Sequence, residues 1–278
     1  MSGPGAILIT GCSSGIGRAT AERLAGAGHT VYATARSVES LAPLQQAGCK
    51  TLALDVLDDA SMRAAVATVE TEQGAVGTLV NNAGYAVSGA IEATALDAIR
   101  KEFETNVFGY VQMAQLVLPG MRGRGSGRII NVSSVAGRVT MPGAGAYAAT
   151  KYAIEAISDA LRFEVRGFGV QVVVIEPGPI RTAFTATANA AISPVQDGPY
   201  GTYHEAVAKS DAETDESFLA GTPEQVAKTI ERAITADRPK PRYRVTPIAR
   251  VLPVVRGTLG GRAFDAFLRT QIKPPGAS

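Results

Sequence analysis

The sequence is poor in side chains that bind metals or form cross-links. Its 278 residues include two cysteines and two histidines, and Cys12 and Cys49 have no Cys-x-x-Cys spacing. Catalytic zinc is usually held by three protein ligands, and His29 and His204 cannot build a histidine-rich site. We therefore expect no metal. So few cysteines are typical of a reduced compartment, and we expect the chain to be cytoplasmic.

The sequence also lacks a strong excess of charge and long apolar runs. A net charge of +2 provides no global attraction to nucleic acid, which we do not expect as a partner. No run approaches the length of a membrane-spanning helix. The opening stretch MSGPGAILIT has no charged segment and is too short in its apolar part for a signal peptide.

What the sequence does have is a regular alternation of two patterns. Strand-length runs that are rich in β-branched residues and apolar on both faces occur at 6–10, 30–35, 50–56, 77–82, 127–134 and 170–178. Helical spacing lies between them, at 16–28, 58–73, 95–121 and 146–168. Apolar strands alternating with helices predict an α/β fold, a Rossmann-type doubly wound parallel sheet. We expect a single domain over residues 1–278.

Two segments depart from this alternation. The segment 183–222 directly follows the last long predicted strand. It is long and alanine-rich and includes Phe184 and Tyr203. Such loops are usually functional lids or disordered insertions, and we favour a substrate-binding lid. Residues 238–278 form a basic extension with nine lysines and arginines against one acid, Asp265.

The basic extension has two interpretations. It is a solvated arm or subunit contact, or it is a peripheral membrane contact, because apolar residues such as Val254 and Leu259 lie among the charges. Pro253 and the pair Gly260 and Gly261 are expected to interrupt any long helix.

A glycine-rich loop follows the first predicted strand. The stretch ITGCSSGIGRA places Gly11, Gly15 and Gly17 where a strand turns into a helix. Glycine allows a pyrophosphate to approach the backbone, and the helix N-terminus supplies unpaired N–H groups. Ser13 and Ser14 add hydroxyl donors. The alternative is a tight turn without a ligand. With Thr10 ahead of it, the loop resembles the T-G-x-x-x-G-x-G loop of the short-chain dehydrogenase/reductase family.

The second predicted strand indicates which dinucleotide binds. An acidic residue at its end selects NAD by accepting from the ribose 2′-hydroxyl. Here the strand ends with Ala35 and Arg36, and a guanidinium pairs with a 2′-phosphate. We therefore predict NADP(H). The alternative is that Arg36 is only a solvated charge.

Tyr147 and Lys151 lie four residues apart in a predicted helix, on one helical face. Tyrosine ionises near pH 10, so acid–base chemistry at neutral pH requires about 4 kcal/mol. A lysine ammonium about 4 Å away supplies on the order of 4 kcal/mol at an effective dielectric constant near 20. We expect Lys151 to lower the pKa of Tyr147 to near 7. Alone, this spacing also fits a core tyrosine beside an exposed lysine.

Further motifs fall at or beside the carboxyl ends of the predicted strands, where open α/β sheets bind ligands. They are NNAG at 81–84, FETNVFGY around Asn106, NVSS ending at Ser134, and EPGPIRT at 176–182. Combined with the glycine loop and the Tyr-x-x-x-Lys pair, they cover the chain from about Thr10 to Thr182. On these motifs the chain is identified as a member of the short-chain dehydrogenase/reductase family.

This resemblance implies four catalytic residues. Tyr147 is the general acid in reduction and the base in oxidation, and Lys151 lowers its pKa and binds the nicotinamide ribose. Ser134, thirteen positions before Tyr147, hydrogen-bonds the substrate oxygen. Asn106 holds a water that relays protons to Lys151.

The resemblance also implies the binding residues. Asp55 accepts from the adenine amino group, and Val56 packs against the ring. The full cofactor set comprises Gly11, Ser13, Ser14, Gly15, Ile16, Gly17, Arg36, Asp55, Val56, Asn82, Ala83, Gly84, Tyr147, Lys151, Pro177, Gly178, Ile180 and Thr182. The substrate set comprises Ser134, Ala136, Met141, Tyr147 and Phe184, and Tyr85, Val87, Val135 and Val139 complete a mostly apolar lining.

The wording of these motifs resembles the branch that includes 17β-hydroxysteroid and retinol dehydrogenases. The resemblance implies a hydrophobic ketone, aldehyde or secondary alcohol as substrate, and a homodimer or homotetramer as the assembly. One alternative is a non-catalytic NADP-binding regulatory module on the same fold. Another is a nucleotide-sugar epimerase or dehydratase, which usually needs a larger C-terminal domain than this chain has room for.

Overall fold

The structure of the chain is a computed structural model that describes residues 5–184, 188 and 198–276. A seven-stranded sheet with parallel neighbours forms its centre, in the order β3-β2-β1-β4-β5-β6-β7. The strands are β1 (Ala6–Ile9), β2 (Val31–Ala35), β3 (Lys50–Ala53), β4 (Val76–Asn81), β5 (Gly127–Val132), β6 (Val170–Glu176) and β7 (Arg242–Arg244). The predicted Rossmann-type parallel sheet is confirmed.

Helices connect the strands. Those of the described residues are α1 (Gly15–Gly26), α2 (Ala42–Gln46), α3 (Asp59–Gln73), α4 (Leu96–Phe103), α5 (Gly109–Arg124), α6 (Gly145–Glu164), α7 (Gly201–Glu216), α8 (Pro223–Thr235) and α9 (Pro247–Gln271). Local sequence sets several of their starts. The Asp58 carboxylate caps α3 by accepting from the N–H groups of Ala60 and Ser61, and Thr222 forms a capping box with Gln225 at α8.

The sheet has an apolar core on each face. Ile7 and Ile9 of β1 belong to one cluster together with residues of α1 and α8. Leu8, between them, belongs to the other cluster together with residues of α3 and α5. Successive strand residues point to opposite faces, so β1 must be apolar throughout when helices cover both sides. β3 lies at the edge of the sheet and is half exposed, so the prediction of two apolar faces is wrong for this strand.

Strand β7 is an element that the sequence analysis missed, inside the segment expected to be a C-terminal arm. Arg242 forms ion pairs with Glu155, Asp159 and Glu176, and Arg244 pairs with Glu176. Three polar residues do not carry the apolar pattern of a strand, because paired charges replace apolar burial here. Part of the basic extension is thus integrated into the sheet.

The rest of the extension is mainly helical. Pro253 lies within α9 without ending it, contrary to expectation, whereas Gly260 does interrupt the helix, with φ of 68°. Val251, Val254 and Leu259 expose 59%, 56% and 43% of their surface. Within the described part of the chain, no helix combines the length and the apolar character that crossing a membrane requires.

The proposed lid segment is only partly described. Residues 185–187 and 189–197 lie outside the described residues, and 201–216 form helix α7 rather than a loop. His204 of α7 is buried, and its Nε2 accepts a hydrogen bond of 3.0 Å from the backbone N–H of Ala90. This bond joins α7 to the loop after β4. The assignment of residues 183–222 as a substrate lid stays a prediction.

Candidate active site

The topology creates a crevice at the carboxyl ends of β1 and β4. The chain runs from β1 outward to β2 and β3, then returns to β4 on the other side of β1. At such a switch point the connections leave in opposite directions, and the space between them is the usual ligand site of open α/β sheets. The glycine loop follows β1, and the NNAG motif begins at the end of β4.

The glycine loop needs its glycines for two different reasons. Gly11 and Gly15 have φ of +72° and +56°, a region that side chains disfavour. Gly17 instead lies against the loop itself, since a Cβ there would be 2.2 Å from the carbonyl oxygen of Gly11. The loop is therefore folded tightly under the N-terminus of α1.

The N-terminus of α1 fits an anionic ligand. Its first turn has no acidic residue, and the side chain of the N-cap residue Ser14 makes no capping hydrogen bond. Ser13 and Ser14 are exposed, and the first N–H groups of a helix lack intrahelical partners. Thr182 lies across from this point, 3.5 Å from where a Cβ of Gly15 would be. These residues fit the pyrophosphate of a dinucleotide.

Asn82, predicted to contact the cofactor, is engaged with the protein itself. Its amide donates to the carbonyl oxygens of Thr10 and Gly11 at 2.9 and 3.0 Å. The Thr10 hydroxyl in turn accepts from the N–H groups of Asn82 and Ala83, both at 3.0 Å. These bonds tie the NNAG segment to the glycine loop, which gives Asn82 a structural part in shaping the crevice.

The residues predicted to hold the adenosine end lie at the ends of β2 and β3. Arg36 is exposed and forms no ion pair with any residue that the structure describes. One Asp55 carboxylate oxygen accepts from the N–H of Leu57 at 3.0 Å. Val56 is only 8% exposed, because Gly109 of α5 packs against it. Arg36 and Asp55 thus present charged groups to this end of the crevice.

Ser134, Tyr147 and Lys151 come together beside the ends of β5 and β6. Ser134 follows β5 and caps a short 3-10 helix by accepting from the N–H of Ala136 at 3.1 Å. Its hydroxyl also lies close enough to the Tyr147 phenol to act on the pKa of that group, which it lowers. The ring of Phe184 lies 5.5 Å from that of Tyr147, centroid to centroid. Two hydroxyls therefore converge next to an aromatic surface.

Lys151 is directed inward. It is 4% exposed, its ammonium donates to the carbonyl oxygen of Val132 at 3.0 Å, and it lies 5.6 Å from the Tyr147 ring centroid and 5.4 Å from that of Tyr110. An ammonium has three N–H donors. With one engaged by Val132 in the described structure, two can serve ribose hydroxyls.

Burial governs the protonation of both groups. It raises the pKa of Tyr147 above its ordinary value, and the hydrogen bond from Ser134 only partly opposes the change. It lowers the pKa of Lys151 to about 8, although Glu102 and Glu155 act in the opposite direction. The expectation that Lys151 brings the pKa of Tyr147 to near 7 is not met in this arrangement, because desolvation of the phenol is the largest influence on that pKa.

Asn106 lies in a π-helical turn, Glu104–Phe108, that joins α4 to α5. The helical prediction over 95–121 did not include this irregularity. The Asn106 amide donates to the Tyr85 carbonyl at 2.8 Å and to the Thr150 hydroxyl at 3.2 Å, and its oxygen accepts from the Tyr85 N–H at 3.1 Å. π-Helical turns often occur at functional sites. Here the turn places a satisfied amide next to α6.

The segment after β6 closes the crevice, although not every residue of it faces a ligand. Gly178 packs on Thr246, whose hydroxyl would be 2.1 Å from an added Cβ. Ile180 is 8% exposed, belongs to the core, and forms a β-bridge with Gly221. Its predicted cofactor contact stays a prediction, whereas Thr182 lies next to Gly15 of the glycine loop.

The residues predicted to line the substrate site also differ from one another in exposure. Ala136, Met141 and Phe184 retain exposed surface; Ala136 is hydrogen-bonded to Ser134 and Phe184 packs on Tyr147. Val87 and Val139 are only 4% and 1% exposed. Little of either side chain is accessible, and their place in the substrate lining stays a prediction.

Sequence reasoning missed one ionisable residue of the site. Glu102 of α4 is fully buried, and burial raises its pKa to about 7. It interacts electrostatically with both Lys151 and Tyr147. The available signal was a charged residue four positions before Asn106, but glutamates on helices are usually solvent-exposed.

Comparison with known proteins agrees with this geometry. The family model described as short chain dehydrogenase matches residues 5–193.

The chain belongs to the short-chain dehydrogenase/reductase family.

Three relatives extend this result over nearly the whole chain. The uncharacterized oxidoreductase YbbO of Escherichia coli is 36% identical over 95% of this chain and 93% of its own. The NADPH-dependent 3-dehydrocapnine reductase of Ornithobacterium rhinotracheale is 34% identical, covering 96% of each. Human 17-beta-hydroxysteroid dehydrogenase type 1 is 36% identical over 90% of this chain and 79% of its own.

A solved structure agrees as well. Serine dehydrogenase complexed with NADP+ superimposes with a TM-score of 0.77 and 30% identity over 87% of this chain and 95% of the other. As a short-chain dehydrogenase/reductase, the chain is an enzyme that acts on CH–OH groups and uses a nicotinamide cofactor. It resembles the branch that contains 17β-hydroxysteroid dehydrogenase.

Proposed function

We propose that this short-chain dehydrogenase/reductase interconverts a bulky apolar ketone or aldehyde and its alcohol with NADP(H), and that Tyr147 is its acid–base group. The observation that carries the proposal is the convergence of the Ser134 hydroxyl, the Tyr147 phenol and the buried Lys151 ammonium next to the crevice. Two hydroxyl donors and a cation are the groups needed where a carbonyl oxygen gains negative charge.

Each residue has one task in the proposed mechanism. A bound nicotinamide supplies the hydride. Ser134 and Tyr147 donate hydrogen bonds to the carbonyl oxygen, and Tyr147 transfers its proton as that oxygen becomes an alcohol. Lys151 holds the ribose hydroxyls and favours the transient phenolate. Asn106, next to α6, holds a water that relays protons to Lys151.

The Tyr147 pKa bears on the pH range in which each direction of the reaction runs. A phenol whose pKa is raised by burial is fully protonated at neutral pH, and the protonated form is the one that donates to a carbonyl oxygen. Oxidation requires the phenolate instead, so it is expected to be favoured only at high pH.

The preference for NADP(H) rests on Arg36. The β2 strand ends without a carboxylate that would repel a 2′-phosphate, and the exposed guanidinium of Arg36 has no ion-pair partner among the described residues. The 3-dehydrocapnine reductase is named as NADPH-dependent, and the serine dehydrogenase structure holds NADP+. Both names support the same cofactor for this chain.

The substrate proposal rests on the apolar surface beside the hydroxyls. Phe184 packs on Tyr147, and Ala136 and Met141 retain exposed surface nearby. Such walls select by shape and size. Two relatives carry names that specify a hydroxysteroid or a 3-dehydro compound, which supports ketones and secondary alcohols as the substrates.

A screen of substrates tests the proposal. NADPH oxidation is followed at 340 nm with steroids, retinoids, cyclic ketones, quinones and aldehydes, and each assay is repeated with NADH. The Tyr147→Phe variant serves as the matched control. NADPH-linked turnover that the variant lacks is the expected result. Turnover by the variant at the wild-type rate, or no turnover of any carbonyl compound, would contradict the proposal.

Assembly and location stay predictions from the sequence. We propose a homodimer or homotetramer, which light scattering of the purified chain tests directly. The peripheral membrane contact draws support from Val251, Val254 and Leu259, exposed on α9 among Arg250, Arg256 and Arg262. Co-sedimentation with anionic vesicles at low salt tests it, and recovery of the protein only in the supernatant would exclude it.

A further inference from the structure

Glu102 is a carboxylate enclosed in the protein without full compensation. It is 0% exposed. One carboxylate oxygen accepts from the backbone N–H of Val87 at 3.3 Å, and the other has no hydrogen-bond partner among the described residues. Burying a carboxylate is costly unless charge and hydrogen bonds compensate it. A function for the charge would explain why such a side chain is present.

The ionisable groups around Glu102 belong to the active site. Lys151 and Tyr147, on α6, and Tyr85, in the loop after β4, interact electrostatically with it. The hydrogen bond of 3.2 Å from Asn106 to Thr150 joins the turn that follows α4 to α6 directly beside Lys151. Glu102 makes ionisation of the two phenols less favourable and makes protonation of Lys151 more favourable. Glu155 is the other carboxylate that acts on Lys151, and Arg242 already neutralises it through an ion pair of 2.9 Å.

Lys151 needs such a counter-charge. The ammonium is almost fully enclosed and donates to one neutral carbonyl, that of Val132. Burial alone therefore favours the uncharged amine. Because Arg242 engages Glu155, Glu102 is the carboxylate near Lys151 that has no cationic partner of its own in the described structure. The two buried groups compensate each other without direct contact.

We propose that Glu102 is a positioning residue that keeps Lys151 in its ammonium form within the closed active site. The charge of Glu102 acts through Lys151 and does not touch the reacting atoms. Through its bond to Val87, Glu102 also links this charge to the loop that carries Tyr85. The catalytic consequence rests on the proposed function, whereas the coupling of the two charges does not.

A variant that removes the charge of Glu102 but keeps the shape of the side chain tests its coupling to Lys151. Glu102→Gln retains an oxygen that accepts from the Val87 N–H but removes the charge. Glu104→Gln removes an exposed carboxylate two residues away and is the matched control. The measured quantity is the pKa of Lys151, from an NMR titration of protein labelled with [ε-13C]lysine. The Lys151 signal is assigned by its loss in Lys151→Met.

The expected result is a decrease of about one unit in the pKa of Lys151 in Glu102→Gln, a tenfold change in its ionisation constant, and no change in Glu104→Gln. The high-pH limb of the kcat/KM profile should move to lower pH by the same amount. If Glu102 had only a structural part, its substitution would lower Tm but change neither the pKa of Lys151 nor the high-pH limb of the kcat/KM profile. That outcome would overturn the proposal.

A second variant covers the case in which Glu102→Gln does not fold. Glu102→Asp retains the charge and loses one methylene, so the pKa of Lys151 should stay closer to the wild-type value than to that of an uncharged variant, Glu102→Ala. Equal decreases in Glu102→Asp and Glu102→Ala would overturn the proposal. If wild-type protein reduces no carbonyl compound, the proposed function fails, yet the Lys151 titration still decides the coupling.

Discussion

The glycine loop and the catalytic face of α6 use opposite means to prepare for a ligand. The loop works through backbone geometry, with positive φ at Gly11 and Gly15 and exposed hydroxyls at the start of α1. The α6 face works through side chains, and burial changes the protonation of Tyr147 and Lys151. Changes in the loop should therefore affect cofactor binding first, and changes on α6 should affect the chemical step first.

The largest expected effect separates the chemical step from binding. Tyr147→Phe should reduce kcat by about 10²- to 10⁴-fold, because the proton donor is lost, while the dissociation constant for NADPH stays within about twofold, since no loop contact changes. Stopped-flow kinetics and calorimetric titration measure the two quantities. A comparable loss of binding and turnover would erase the distinction between the two regions.

The next effect concerns the loop alone. Gly17→Ala places a methyl group 2.2 Å from the Gly11 carbonyl oxygen, so the variant should lose about 1–3 kcal/mol of unfolding free energy and most of its NADPH binding. Gly26→Ala, at the end of the same helix and with no neighbour within 4 Å, is the control and should leave both unchanged or slightly raise stability. Equal behaviour of the two variants in urea unfolding would refute the close-packing argument.

A smaller effect tests the choice between NADPH and NADH at Arg36, the residue that follows β2. Arg36→Ala should raise KM for NADPH about tenfold, which corresponds to about 1.4 kcal/mol for one charged hydrogen bond, and leave KM for NADH unchanged. Arg63→Ala, which removes an exposed arginine paired with Asp59, provides the control. If Arg36→Ala raises both KM values alike, Arg36 does not read the 2′-phosphate.

The last effect is the pH dependence of stability from the α6 region. The pKa of Lys151 is lowered from 10.5 to about 8 in the folded chain, so the unfolded chain binds more protons between those values. Stability from this residue should therefore rise with pH from about 8 to 10.5. Thermal unfolding of Lys151→Met should lack this rise. An identical pH slope in wild type and variant would contradict the shift.

Much of the fold was predictable because its signals are local. β1 is apolar at every position, which a strand covered on both faces requires, and Asp58 caps α3 at the predicted start. The loop glycines were predictable for the same reason. β7 was not, because the burial of Arg242 depends on Glu155 and Glu176, which are distant in the sequence.

The sequence by itself determined the order of strands β1 to β6, the helical character of the longer segments between them, the place of the glycine loop and the set of polar residues at the strand ends. Only the tertiary structure decided how those residues behave: that Asn82 hydrogen-bonds to the glycine loop, that Glu102 is buried and interacts electrostatically with Lys151, and that burial raises the pKa of Tyr147. The physical reason is that spacing along one helix sets which groups are neighbours, whereas desolvation depends on every element packed around them.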